Sequence, residues 1–304
     1  MSMKANIAEL NNIRLEQHDG HLVVHFTAMA SDCMVLFDTR DRELAEFLGS
    51  MAADEVRRIE RKFSRYRKFN PVHCINESAG MTVTVDDETA RLLDYADLCH
   101  ELSDGRFDIT SGVLRHAWRF DGSSELPDGA LIAELKQRVG WQRVGWKRPE
   151  LRLPLGAEID FGGIGKEYAA DRVALMLSEH SDTAILVNLG GDLVARGERK
   201  TRHYWHVGVD SANPEQAVPA LSLQQGALAT SGDTRRYIEF DGKRYSHILD
   251  PLTGWPVENG PALVTVAAPT CMEAGMMSSL AMLMGAQAEE FLDAQNVQYW
   301  IQRR

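Results

Sequence analysis

The stretch DFGGIGKEYAADRVALML, Asp160 to Leu177, sets three glycines and a lysine directly before an amphipathic helical pattern. After Gly165, apolar residues recur at Ala169, Val173, Met176 and Leu177, the three- and four-residue spacing of a helix with one buried face. The periodicity predicts a helix beginning near Lys166. Its first turn leaves backbone N–H groups unpaired at the positive end of the helix dipole, and the glycines let a ligand approach the main chain closely. That setting suits an anion such as phosphate. It equally suits a tight strand-to-helix turn with no ligand. Two common motifs are excluded: the P-loop requires Ser or Thr after the lysine, where Glu167 stands, and the dinucleotide fingerprint requires a third glycine, where Tyr168 stands.

Any anion site in this chain is local. The 304 residues include 44 acidic and 33 basic side chains, a net charge of −11, which argues against nucleic acid or an anionic membrane as the main partner. No run approaches the roughly 18 apolar residues of a membrane span, and the N-terminal segment has no apolar core of signal-peptide length. The expectation is a cytoplasmic protein with no stable membrane insertion. Cys33, Cys74, Cys99 and Cys271 lie far apart without a C-x-x-C pair, so they are expected to be buried thiols rather than disulfides or metal ligands.

Alternation at LVVHFTAM and CMVLFDT predicts strands, and a long helix is predicted from Arg42 to about Phe63 with Leu44, Phe47, Met51 and Val56 inward. A second helix, DETARLLDYADLCHELS, carries Asp86 and Asp87 at its cap and Leu92, Ala96 and Cys99 inward. LIAELKQRVG predicts a short helix ending at Gly140. From Ala184 the pattern turns to strands, and EAGMMSSLAMLMG predicts a buried helix near the end of the chain. With no repeat or low-complexity linker, the fold class is α+β, its two halves sharing one interface.

Polar clusters interrupt these elements. VNLGGD places Asn188, Gly190, Gly191 and Asp192 after a buried run, a pattern that fits a hairpin turn or bulge as well as a close backbone approach to a ligand. ATSGD sets Thr230, Ser231 and Asp233 around Gly232, groups suited to phosphate or ribose or to an ordinary turn. YSHILDPLTGWPV brings Ser246, His247, Asp250, Thr253 and Gly254 close together beside Pro251. An imidazole and a carboxylate on a rigid turn point to chemistry. RKFSRYRKFN gathers Arg61, Lys62, Arg65, Arg67 and Lys68 and reads as a solvated helix end. In GRFDITSGVL, Asp108, Thr110 and Ser111 fit a helix cap or a contact to a base or ribose.

In this order, the motifs SRYRKFN, SDGRFDITSGVL, IDFGGIGKEYAADR, LVNLGGD, ATSGD and RYSHILDPLTGWPV resemble the ApbE family of FAD:protein FMN transferases. The resemblance implies an ApbE-like fold, with mixed or antiparallel sheets flanked by helices and an FAD site between two halves. That domain would occupy residues 21–304 after an N-terminal extension of residues 1–20. It also implies a reaction: FAD binds with a magnesium ion, its pyrophosphate is split, and FMN is attached by a phosphoester to a threonine or serine of a target redox protein, releasing AMP. The target flavoprotein is the implied partner.

Carried over by position, Met29 would contact the flavin, although Ala30 and Ser31 stand where the family usually has glycine and threonine. Asp108 would bind the nucleotide and Lys166 would be the charged residue after the glycines. The Gly165 carbonyl would help hold the metal. His247, Ile248 and Asp250 match the HI-x-DP-x-TG motif, with His247 as the base that deprotonates the target hydroxyl. Thr230 and Ser231 are the candidate cofactor contacts in ATSGD.

One departure concerns the metal. The family's E-A-D-x-x-x-T is EAGMMSS here, so Gly275 replaces the carboxylate ligand and Ser279 the threonine. A magnesium site would lose its main charged ligand, Glu273 points to another side of the helix, and Gly275→Asp is expected to refill the gap. A second departure is Glu167, in place of the usual glycine, which would either repel phosphate or help hold a cation. Three functions fit: the transferase, a non-catalytic FAD-binding carrier or regulator, and an FAD pyrophosphatase.

Overall fold

A computed structural model describes residues 12–122, 125–200, 203–212, 220–234 and 236–304. Of the predicted N-terminal extension, residues 1–11 fall outside these residues, and Arg14–His18 form the first strand of the main sheet. Eight strands form the main sheet: β1 (Arg14–His18), β2 (His21–Ala28), β3 (Ser31–Phe37), β4 (Ile185–Leu189), β5 (Asp192–Arg196), β6 (Gly226–Gly232), β7 (Leu263–Ala268) and β8 (Gln298–Gln302). They lie side by side in chain order, and every neighbouring pair is antiparallel.

Among the described residues seven α-helices accompany the sheet: α1 (Arg42–Phe63), α2 (Pro71–Asn76), α3 (Asp87–Leu102), α4 (Gly129–Lys136), α5 (Gly165–His180), α6 (Cys271–Met284) and α7 (Ala288–Gln295). α1 packs on β2, α5 on β4 and β5, and α6 on β6 and β7, so three helices cover one face. Val24, Val35, Phe37, Leu48, Val56, Val173, Val187 and Leu280 are among the buried residues of that interface. On the opposite face a two-stranded ribbon, Trp205–Gly208 with Ala220–Leu223, lays Trp205, Val207 and Leu223 over Leu186, Leu193 and Leu228.

The helix starts follow the sequence. Asp41 caps α1 by accepting from the Leu44 N–H at 3.1 Å, and Asp86 caps α3 by accepting from Glu88 and Thr89. The buried face of α1 differs from the expectation in part. Val56 is buried and Leu44 and Met51 pack against the core, but Phe47 is 57% exposed, and Ala45, Leu48, Ala52 and Ile59 are buried too. The small residues decide this. A Cβ at Gly49 would lie 2.6 Å from a methyl of Val24, so the helix seats its glycine–alanine stripe against β2 and turns the bulkier Phe47 outward. Of the cysteines, Cys33, Cys99 and Cys271 are buried as expected, whereas Cys74 is exposed. No helix among the described residues is long and apolar enough to cross a membrane.

Candidate functional site

Two tight hairpins and the end of β6 meet at one edge of the sheet. Met29 and Ala30, with φ of 52° and 54°, turn β2 into β3, and Gly190 and Gly191, with φ of 68° and 105°, turn β4 into β5. A Cβ at Gly190 would sit 2.8 Å from the Ser31 hydroxyl, so the two turns pack closely only because one residue lacks a side chain. The hairpin reading of VNLGGD holds, and its last residue also faces the site: Asp192, at the start of β5, accepts from Lys166 Nζ at 3.2 Å. Burial alone would lower the Lys166 pKa, but the Asp192 and Glu167 carboxylates outweigh it and hold the ammonium above its ordinary value.

The turn before α5 has no side-chain cap on the helix. Asp160 holds it from the front, accepting from the Gly162 N–H at 3.0 Å and pairing with Arg65. The basic run therefore does more than solvate a helix end, since Arg65 reaches inward and lines the cavity. A two-lobed cavity opens in front of this turn. One lobe, of about 580 Å³, is lined by Met29, Ala30, Ser31, Gly165, Gly190 and Thr230. The other, of about 900 Å³, is lined by Asp108, Ser111, Trp118, Phe120, Ile248 and Ser279. The lobes share a wall of Arg65, Asp160, Gly162, Lys166, Arg236 and His247. Arg65, Lys166 and Arg236 set three cations on that wall, Arg65 paired with Asp160 and Lys166 with Asp192.

His247 is half-buried on the shared wall. Its Nδ1 donates to the Arg236 carbonyl at 3.1 Å, which places the lone pair on Nε2. Burial and the Arg236 charge together lower its pKa, against the opposing pull of that carbonyl. The result is a neutral imidazole with one free basic nitrogen at neutral pH. Phe120 packs edge-on to the ring at 6.2 Å between centroids.

The structure does not bring Asp250 to the same cavity. Its Oδ1 accepts from the Leu252 N–H at 2.8 Å, its backbone carbonyl accepts from Gly254 at 2.8 Å, and it lines a neighbouring cleft with Arg106 and Arg244. Gly254, with φ of 76°, completes the turn, and its carbonyl accepts from the Trp118 indole at 2.8 Å. Asp250 thus shapes the loop that presents His247. Asp108 is similar in kind: buried at the head of a 3₁₀ helix, Ile109–His116, it accepts from the Thr110 N–H and hydroxyl at 2.7 and 2.6 Å and from the Trp141 N–H at 2.8 Å. Its oxygens serve the cap reading, and the residue lines the second lobe through that cap.

In ATSGD, the Thr230 hydroxyl pairs with Thr265 at 2.8 Å, while Ser231 bonds Ser278 at 2.8 Å and Ser279 at 3.1 Å, tying β6 to α6. Asp233 is turned away, paired with Arg304.

Gly275 leaves no gap. A Cβ built there would lie 2.5 Å from Glu167 Cγ and 3.0 Å from its Oε1, so the Glu167 side chain already fills the space where an aspartate would project. The expectation that Gly275→Asp simply refills an opening is corrected on steric grounds. Glu167 is only 9% exposed, and its Oε2 has no hydrogen-bond partner among the described residues. Burial, reinforced by Asp192, pushes its pKa well above the usual carboxylate range. The helical pattern gave no sign of this inward carboxylate, which only its contact with a glycine on another helix explains. Among the described residues no three His, Cys, Asp or Glu side chains converge as a ready-made metal cluster.

The chain matches the sequence profile of the ApbE family over residues 26–301. It is 35% identical over 193 residues to a FAD:protein FMN transferase of Klebsiella pneumoniae, covering 60% of this chain and 55% of that relative, so the match spans little more than half the relative's length. To the Escherichia coli K12 protein of the same name it is 30% identical over 237 residues, 74% of this chain and 67% of the relative. Among solved structures, the ApbE protein of Thermotoga maritima superposes with a TM-score of 0.83 at 30% identity, over 92% of this chain and 94% of that one. The apo form of the Pseudomonas stutzeri flavinyl transferase ApbE also superposes at 0.83, with 26% identity over 96% and 92% of the two chains.

Proposed function

This chain belongs to the ApbE family, and from that premise we propose that it is a FAD:protein FMN transferase acting on a hydroxyl of a target redox protein. One observation carries the reading: the cavity has two lobes joined at a cationic wall that also bears a basic imidazole. FAD is likewise two halves joined by a pyrophosphate. The flavin half enters the lobe of Met29, the adenylate half enters the lobe of Asp108 and Ser111, and the pyrophosphate lies against Gly162, Lys166, Arg65 and Arg236. Backbone N–H groups at an uncapped helix start and fixed cations suit such a group.

The target's threonine or serine hydroxyl approaches His247, whose Nε2 takes its proton. The hydroxyl oxygen forms a bond to the FMN phosphorus. The bond from that phosphorus to the bridging oxygen breaks, and AMP leaves with the bridging oxygen. Lys166 and the arginines stabilise the charge that develops on the phosphates. Asp250 and Gly254 hold the loop that aims His247.

A magnesium ion fits the residues present. A buried carboxylate oxygen without a partner among the described residues, at Glu167, lies in the first turn of α5 two residues after Gly165, whose carbonyl is a hard-oxygen donor, and the side chain packs against Gly275 of α6, one turn before the Ser279 hydroxyl. Gly165 and Ser279 would hold the ion, and when bound it would offset phosphate charge. The reading is tested by incubating the protein with FAD, magnesium and a target domain bearing an acceptor threonine, then viewing flavin fluorescence on a denaturing gel. A fluorescent target band and free AMP are expected. AMP without a labelled band would mean a pyrophosphatase, and bound FAD with neither product a carrier.

A further inference from the structure

Glu167 and Gly275 occupy one space from two helices. The overlap that a Cβ at 275 would make falls on Glu167 Cγ, the middle of the side chain, rather than on a tip that swings aside freely. A carboxylate on α6 and a carboxylate at 167 therefore exclude each other, and this chain carries the one on α5. We propose that Glu167 is the carboxylate ligand of the cation site, delivered from α5 through the space that Gly275 leaves on α6. The inference rests on the transferase reading for the presence of a cation. The placement of the side chain is independent of that reading.

Local charge points the same way. Glu167 and Asp192 are both buried, and the ammonium facing them is Lys166, already paired with Asp192. Asp171, next along α5, spends its oxygens on the N–H groups of Cys271 and Met272, each at 2.9 Å, at the start of α6. Two buried carboxylates thus share one ammonium, and among the described residues the Glu167 Oε2 has no donor. Groups of that kind are paired, coordinate a metal or give up their charge. The rival ligands are elsewhere: Glu273 is exposed, and Asp233 is bound to Arg304 beside the neighbouring cleft. Ser279 stands one helical turn beyond Gly275 on α6, and Gly165 two residues before Glu167 on α5. Carboxylate, hydroxyl and carbonyl make a hard-oxygen set that phosphate oxygens of FAD would complete.

The test is Mn²⁺ binding to the full chain with FAD present, read by the electron paramagnetic resonance of the free ion, with FAD binding followed separately by flavin fluorescence quenching. Glu167→Gln keeps the shape and removes the charge, so it should weaken Mn²⁺ at least by the roughly 10- to 100-fold seen when even a supporting group of a metal site is removed. Gly275→Asp alone should lower the melting temperature without tightening Mn²⁺. The double variant Glu167→Gly with Gly275→Asp should recover most of the affinity, because the carboxylate returns to the same space from the other helix. Glu167→Gln binding Mn²⁺ like the parent would overturn the inference, as would Gly275→Asp binding it more tightly with no loss of stability, or a parent protein that binds FAD but no Mn²⁺. Failure of the parent to bind FAD would instead overturn the transferase reading.

Discussion

At the scale of single residues, the role proposed for His247 separates binding from chemistry. Its contribution is one basic nitrogen fixed by the Arg236 carbonyl, so His247→Ala should leave FAD affinity nearly unchanged while transfer falls by roughly 10²- to 10⁴-fold, the usual scale for loss of a general base. Parallel losses in both would show that the ring serves binding instead. Its pH dependence has a definite sign. A base works unprotonated, and burial with the Arg236 charge lowers the pKa from the ordinary 6.5. The acid limb of transfer should therefore have its midpoint below 6.5; an acid limb centred above 6.5 would contradict the assignment. His247 was legible in the sequence because imidazole, carboxylate, proline and glycine crowd one turn. The separate duties of His247 and Asp250 were not, because they depend on which side of the loop each side chain leaves. Arg65 was hidden for a related reason: a charged residue in a helical pattern reads as solvent-facing until a partner across the fold is known, and Glu167 stood out as a departure beside the glycines without its burial against α6 being legible.

Among the elements, α1, α3 and α5 are fastened together by one carboxylate. Glu88 on α3 accepts from Arg58 at 2.6 and 2.9 Å and from Lys62 at 2.7 Å, both on α1, and from the Tyr168 hydroxyl of α5 at 2.7 Å. Burial alone would raise its pKa, but these hydrogen bonds bring it down to about 2. A depressed carboxylate contributes stability that is fully present above its unfolded pKa, near 4.5, and is lost as pH falls toward about 2. Glu88→Gln should then cost about 1–3 kcal/mol at pH 7, allowing for solvent screening of the pair, with the difference shrinking below pH 4.5. Urea unfolding at the two pH values measures it; equal stability at pH 7 would show the network to be idle. The ends of α1 were legible from its periodicity and the start of α3 from its acidic cap. The buried face of α1 was legible only in part, since Gly49 and its alanines share the packing with Leu44, Met51 and Val56 while the conspicuous Phe47 stays outside.

For the whole molecule, the strand order explains why distant motifs share a site. A sheet whose strands lie in chain order sets the turns at Met29 and Gly190 and the end of β6 along one edge, and α5 begins at that edge. The α+β class and the order of motifs were readable from the chain; the two lobes and their common wall were not, because they arise from pairing across the sheet and from loops folded over it. The account stands on FAD being divided at that wall. The direct measurement is a single-turnover reaction of enzyme, FAD and an acceptor domain in excess, with AMP counted by chromatography and acceptor-bound FMN by intact mass. One AMP for each FMN attached is the expected result, with both products lost together in His247→Ala. AMP released in excess of labelled acceptor, or an acceptor carrying intact FAD, would contradict it.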